Sequence, residues 1–292
     1  MTIDNQPMPL SFRQAFDDRI DLQAADGSPI ASYRFDPELP KPCFHPLFTA
    51  AGRQIAGFQM SDHFWHRGLW FTIKFINKTN FWEEQPPFGI QQTLAPPHCT
   101  FASPQSVRIR HFLRWTSQAT GPVLDEQREI LFNVHPDGTR AIDVACLLIS
   151  LQDLELDRTP YTTWGGYSGL TFRASREVHG TSFLLPDGQT ANAILGQPHP
   201  WALLRGLVDG QPDARISIGI IDHPANPRSP SPWYGKAGQS YDFFNAAFLF
   251  HEPMTVSSGQ PLNFRYRVLY RDGWWEAPEF NALAQAFVNS PQ

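Results

Sequence analysis

Val107–Trp115 reads VRIRHFLRW, and its alternation decides the fold. Val107, Ile109, His111, Leu113 and Trp115 fall on one side of an extended chain, with Arg108, Arg110 and Arg114 on the other. A period of two is that of a strand with one face buried and one solvated. Working outward, EQREILFNVH (126–135) repeats the pattern and stops at Pro136-Asp137-Gly138, a strong turn signal. RAIDVACLLISLQ (140–152) is a nearly continuous apolar run, as expected of a strand covered on both faces. Three long consecutive strands joined by turns predict an antiparallel meander.

The rest of the chain agrees. In NFRYRVLYRD (263–272), Phe264, Tyr266, Val268 and Tyr270 alternate with Arg265 and Arg267, and Asp26-Gly27 marks an early hairpin. The 27 prolines are about twice the usual ~5%, and proline is excluded from helix interiors. A helix is predicted only near 279–289, where Phe280, Leu283, Ala284 and Phe287 follow Pro278 at helical spacing. The expected fold is therefore all-β, a large antiparallel β-sandwich with a short C-terminal helix. Residues 1–9 read as a flexible arm and 10–292 as a single domain.

Composition narrows the function. A net charge of −5 argues against a nucleic-acid partner, which needs a basic patch. No run approaches the ~18 apolar residues of a membrane span, and the first residues carry no signal peptide, so a cytoplasmic location is expected. Three cysteines without CxxC spacing predict neither a disulfide framework nor a zinc knuckle.

The chemistry concentrates in DHFWHRGLWFTIKFINKTNFWEE (62–84). LWFTIKFI (69–76) reads as a buried strand with a polar cluster at each end. A turn at 77–80 would bring Trp82, Glu83 and Glu84 back beside it. His63, His66, Glu83 and Glu84 are the candidate acid–base residues, since histidine and glutamate suit proton transfer near neutral pH. Trp65, Trp82, Trp164, Trp233 and Tyr234 offer aromatic faces for sugar rings. Arg67, His223, Asn226 and Arg228 offer hydrogen bonds to hydroxyls. The loop DHPANPRSPSPWY (222–234) is expected to converge with 62–84 on one concave pocket, and Gln85–Pro97 to be a surface loop. The competing reading is a salt-bridged cluster that rigidifies the sheet.

No cofactor is expected. The alternative is a divalent metal on His63, His66 and Glu83, with His45, His223 and Asp62 as further candidates, in a 2-His-1-carboxylate set. Residues three apart on a strand point to opposite faces, so such a set would need a turn or bulge.

FHPLFTAAGRQI (44–55), DHFWHRGLWF (62–71), NFWEE (80–84), DHPANPRSPSPWY (222–234) and YRVLYRDG (266–273) occur in the same order in the bacterial PmoA-like family. The chain resembles that family from about residue 28 to 273. The resemblance implies a soluble β-rich protein with a sandwich similar to the galactose-mutarotase supersandwich. The family's label, "methane oxygenase PmoA", belongs to an integral membrane subunit, whereas this sequence has no span. A sugar or keto-sugar is the expected small-molecule partner, handled by acid–base chemistry; the alternatives are a metal-dependent, non-haem iron-type oxygenase or hydrolase, and a sugar-binding module without catalysis.

Overall fold

In the computed structural model the alternating run becomes the strand Ser106–Ser117, within a description that covers residues 10–15, 18–159, 166–209, 213–238 and 241–290. Its five alternate side chains from Val107 to Trp115 are buried. The arginines opposite are not solitary. Arg108 and Arg110 pair with Glu129, and Arg114 with Asp125 at 2.7 Å, all from the next strand, Gly121–Val134. That strand pairs with Arg140–Ser150, which pairs with Pro261–Asp272, all antiparallel. Arg215–Asp222, Trp201–Val208 and Val178–Leu184 continue a ten-stranded sheet.

A nine-stranded sheet lies against it. Its middle runs in the order Cys43–Leu47, Leu69–Ile73, Ser168–Arg173, Phe243–Ala246, Pro232–Lys236. The two sheets meet through Phe71 against Trp115 (6.2 Å between ring centroids) and Phe264 (5.3 Å), and through Phe44 against Phe132 (6.4 Å). Strand makes up 58% of the described residues and helix 4%. The fold is the expected all-β sandwich. The helix Ala277–Val288 carries proline in its first turn, where a missing N–H costs nothing. Phe280 seats it between Trp201 (4.8 Å) and Trp275 (5.2 Å) on the outer side of the ten-stranded sheet. No helix among the described residues is long and apolar enough to cross a membrane.

The nine-stranded sheet positions the site because its two faces do different things. Phe44, Phe71, Trp233 and Phe244 point into the sandwich core, while their neighbours Cys43, Trp70, Tyr234 and Phe243 form a separate cluster on the other face. This is strand alternation at work. Gly235 is needed on the core side, where a Cβ would sit 2.7 Å from the Phe183 ring.

Two expectations are corrected. LWFTIKFI is not one strand, because Lys74 breaks it. Leu69–Ile73 belongs to the nine-stranded sheet and Phe75–Ile76 to a small four-stranded one. Residues 85–97 are not all loop, since Gly89–Thr93 pairs along Ser106–Ser117 as the edge of the ten-stranded sheet. The expected arm at 1–9 lies outside the described residues.

Candidate functional site

Two turns carry the site onto the outer face of the nine-stranded sheet. The first is at Gly68, which has φ +75° and whose Cβ would lie 2.3 Å from the Phe44 carbonyl oxygen. Only glycine fits such a position. There the short ribbon His63–Arg67, paired with Phe58–Met60, folds back over the sheet it leads into. The second is Asn77-Lys78, both at positive φ (48° and 66°), a tight reversal between Phe75–Ile76 and Thr79–Asn80. The predicted turn at 77–80 is thus present and returns Trp82 and Glu83 to the sheet.

Between these turns lies a cavity of about 340 Å³. His63, Trp65, His66, Trp82 and Glu83 line it from the 62–84 stretch. Tyr167, Tyr234, Lys236, Tyr241 and Phe243 line it from the strands and loops beyond. His66 is 4% exposed. Its ring is stacked between His63 (4.6 Å, 12° between planes) and Phe243 (5.0 Å, 17°), with Trp70 at 5.3 Å. Its Nδ1 is shut off from solvent and has no hydrogen-bond partner among the described residues. Burial, with His63 and Arg173 nearby, pushes its pKa well below the usual value, so the imidazole is neutral at physiological pH.

The other polar groups are more firmly held. Glu83 accepts from Lys74 Nζ at 2.6 Å and from Asn80 Nδ2 at 2.7 Å. Trp82 stacks on Tyr167 (4.7 Å, 16°) and presents its edge to His66. His63 Nδ1 lies 3.0 Å from Asp62, which also accepts from Arg173 at 2.7 Å. Burial opposes the charge on Asp62, but the His63 hydrogen bond and the Arg173 guanidinium outweigh it and hold the pKa well below the carboxylate range. Burial also works against the Lys236 ammonium, yet the Tyr234 and Tyr241 hydroxyls beside it raise its pKa above the ordinary value. Burial raises the Tyr234 and Tyr167 phenols, which stay protonated. The cavity thus offers a neutral imidazole, an ion-paired carboxylate, an ammonium and phenolic donors between aromatic faces.

Several predicted site residues are elsewhere. Glu84 does not line the cavity; its side chain, 9% exposed, is ion-paired to Arg67 and to Lys41 (3.0 Å). Both Glu84 and Arg67 are therefore spent on a structural network. The 222–234 loop does not converge on the cavity, except at its last residue, Tyr234. Asn226 is consumed by Asp222 (2.7 Å) and by the backbone of Arg265. His223 packs edge-on against Phe287 of the C-terminal helix, 5.4 Å away. Arg228 holds the carbonyls of Phe248, Glu252 and Pro253. Trp233 points into the core, because it neighbours Tyr234 on the same strand. Trp164 lies outside the described residues.

The metal alternative fails on geometry. Ring nitrogens bind in the plane of the imidazole, and the His63 and His66 planes are nearly parallel, so their lone pairs do not meet on one ion. Among the described residues no three His, Cys, Asp or Glu side chains are grouped to hold a metal. A larger groove, about 510 Å³, lies at the edge of the ten-stranded sheet. Prolines and aliphatics dominate it, and Asp36 and Glu38 are its only titratable groups, so it lacks the acid–base furniture of the smaller cavity. Lys236, Tyr241, Tyr167 and Phe243 were not anticipated from sequence. FFNA (243–246) and PWYGK (232–236) mark Phe243 and Lys236 as strand residues but not as neighbours of His66, and Tyr167 and Tyr241 lie just outside strands.

The class is thus an all-β sandwich bearing an aromatic, acid–base-lined cavity on the outer face of one sheet. The chain belongs to the family of unknown function DUF6807, which it matches over residues 20–285. A search of curated proteins finds no match. Among solved structures, it is similar to heparan sulfate lyase HepC from Pedobacter heparinus, at 10% identity and TM-score 0.45, over 90% of this chain and 36% of the lyase. The chain therefore spans about a third of that lyase's length. The Slr1438 protein from Synechocystis sp. PCC 6803 is 12% identical over 90% of this chain and 100% of its own, with TM-score 0.43. A GalM/aldose epimerase homologue from C. elegans is 11% identical over 90% and 99%, with TM-score 0.38.

Proposed function

We propose that this is a carbohydrate-active protein performing acid–base chemistry on a sugar or keto-sugar, with His66 and Glu83 as the working pair. The observation that carries the reading is His66. It is a buried imidazole with an unpartnered Nδ1, lining a cavity otherwise walled by aromatic faces and hydroxyls. Leaving that Nδ1 unpaired costs about 1–3 kcal/mol, and because Nδ1 is closed to solvent a ligand would meet the ring at its other nitrogen, Nε2. At about 340 Å³ the cavity lies at the low end of the ~300–1,000 Å³ typical of small-molecule sites. A monosaccharide is of that scale, and the half-buried Trp65 ring suits its apolar surfaces.

The roles follow from how each group is held. Glu83 is fixed by Lys74 and Asn80 and orients a sugar hydroxyl as an acceptor. His66 is neutral and uncommitted, so it takes the proton of a different hydroxyl on the same ring and returns it to a neighbouring oxygen. The Tyr234 and Tyr241 hydroxyls, which flank Lys236, donate to the oxygen on which negative charge develops meanwhile.

The test is NMR exchange spectroscopy on a panel of aldoses and keto-sugars, with parent protein, His66→Ala and Glu83→Gln. The expected result is proton transfer or anomeric exchange on at least one sugar, slowed about 10²-fold or more in each variant. Unchanged turnover in both variants would overturn the acid–base assignment. Binding without any turnover would leave a sugar-binding module.

A further inference from the structure

We infer that the ligand of this cavity carries a carboxylate, making it a sugar acid such as a hexuronate, and that Lys236 receives that group. The inference rests on the carbohydrate reading above and narrows it to a substrate class.

The argument is one of local charge. The chain as a whole is acidic, with net charge −5. The cavity wall is the reverse. Its one carboxylate, Glu83, is already answered by Lys74, a side chain 7% exposed and 2.6 Å away. Lys236 has no carboxylate partner among the described residues. Its polar neighbours are the Tyr234 and Tyr241 hydroxyls, and its ammonium lies 5.8 Å from the Tyr241 ring centroid. Behind Tyr241, two carboxylates, Asp62 and Asp242, face the guanidiniums, so among the described residues no anion there is left over to answer Lys236. Asp62 is shared between two guanidiniums, Arg173 at 2.7 Å and Arg176 at 3.4 Å, and Arg173 sits 4.8 Å from the Tyr241 ring. With His63 and His66 contributing no compensating anion, the cavity holds an unanswered positive charge in a partly desolvated site.

Such a charge in a walled cleft concentrates anions and strengthens any ion pair formed within it. The register places the receiver well. Lys236 lies directly opposite Phe243, whose ring stacks on His66, so a carboxylate on Lys236 puts the attached sugar ring beside the imidazole. A carboxylate also suits the site better than a phosphate. The one unanswered ammonium matches the single charge of a carboxylate, whereas a phosphomonoester carries about −1.5 to −2 at pH 7, and among the described residues no second unpaired cation lines the cavity.

The decisive experiment is calorimetric titration of the intact protein with glucuronate and galacturonate, the matching neutral hexoses, and the hexose 6-phosphates. Lys236→Gln and Lys236→Arg are titrated in parallel. The expected result is hexuronate affinity about tenfold or more above the neutral hexose, the scale of a charge-assisted hydrogen bond. That preference should collapse toward unity in Lys236→Gln and persist in Lys236→Arg. Equal affinity for hexose and hexuronate, or tighter binding of the phosphate, overturns the inference while leaving the sugar reading standing. Failure of every sugar to bind at millimolar concentration overturns both.

Discussion

His63 and His66 stack face to face, their ring centroids 4.6 Å apart and their planes 12° from parallel. They are three positions apart, and in a flat strand they would point to opposite faces. The narrow ribbon ahead of Gly68 brings them together as a hydrophobic pair rather than a chelate. Titration with Zn²⁺ or Fe²⁺ should accordingly leave the His63 and His66 side-chain NMR signals in place. Stoichiometric broadening or shift of both signals would show that the rings turn and ligate.

Acid should weaken the fold in a particular window. His111 is buried in the core, its Nδ1 2.9 Å from the Tyr33 hydroxyl and its Nε2 3.1 Å from Thr93 Oγ1. Burial, with a smaller push from Arg128, takes its pKa down to about 3. The unfolded chain binds this proton near pH 6.5 and the folded chain does not. The stabilisation is therefore complete above pH 6.5 and is lost as pH falls toward 3. The slope is about 1.4 kcal/mol per pH unit for this one group. Urea midpoints between pH 7.5 and 4.5 should fall, and fall less steeply in His111→Gln. Identical profiles for the two proteins would refute the assignment.

Glu84 is expected to matter for stability and not for turnover. Glu84→Gln strips the counter-charge from Lys41 and Arg67, whose side chains are 1% and 2% exposed. Stranding buried charges in this way costs about 3–5 kcal/mol. Chemical denaturation should show that loss, while the folded fraction keeps its ligand affinity. An unshifted denaturation midpoint would mean that water reaches the network.

Gly68→Ala should damage both fold and site. The added methyl would meet a carbonyl oxygen at 2.3 Å in a left-handed backbone conformation. A loss of about 2 kcal/mol or more is expected, as for other strained or overpacked positions. The His66 ring signals, shifted by Phe243 and Trp70, should move toward random-coil values. A fully stable variant with unmoved signals would show that the ribbon re-hinges at no cost.

Trp233 and Tyr234 are adjacent and should separate cleanly. Trp233→Ala empties a core position and should cost about 3–5 kcal/mol. Tyr234→Phe removes only a hydroxyl beside Lys236 and should act on ligand affinity with stability nearly unchanged. The reverse pattern would place the two faces of this strand the wrong way round.

Much of the fold could be read from local pattern. The runs at 107–115, 140–152 and 263–272, the turn at 77–80 and the C-terminal helix are fixed by periodicity and turn chemistry within a few residues of themselves. Half of the site was legible for the same reason, since His63, Trp65, His66, Trp82 and Glu83 share one contiguous stretch. Apart from Tyr234, which the sequence also named, the rest depends on pairings far apart in sequence. Thr171 sits opposite both Trp70 and Asn245, and this places Phe243 within reach of His66. No local pattern encodes that distance. The 222–234 loop misled for a different reason. Its polar side chains resemble site residues, but a proline-rich loop leaves backbone groups unpaired, and Asn226 and Arg228 are used to pair them.

The division of labour between the faces of the nine-stranded sheet has a consequence for anyone who would alter this protein's specificity. Positions 70, 72, 234, 236 and 243 look outward toward the cavity side, while 69, 71, 233, 235 and 244 build the core between the sheets. A library that randomises every second codon in these strands would vary the cavity wall while leaving the hydrophobic interior intact. One shifted by a single codon would sample almost nothing but unfolded chains.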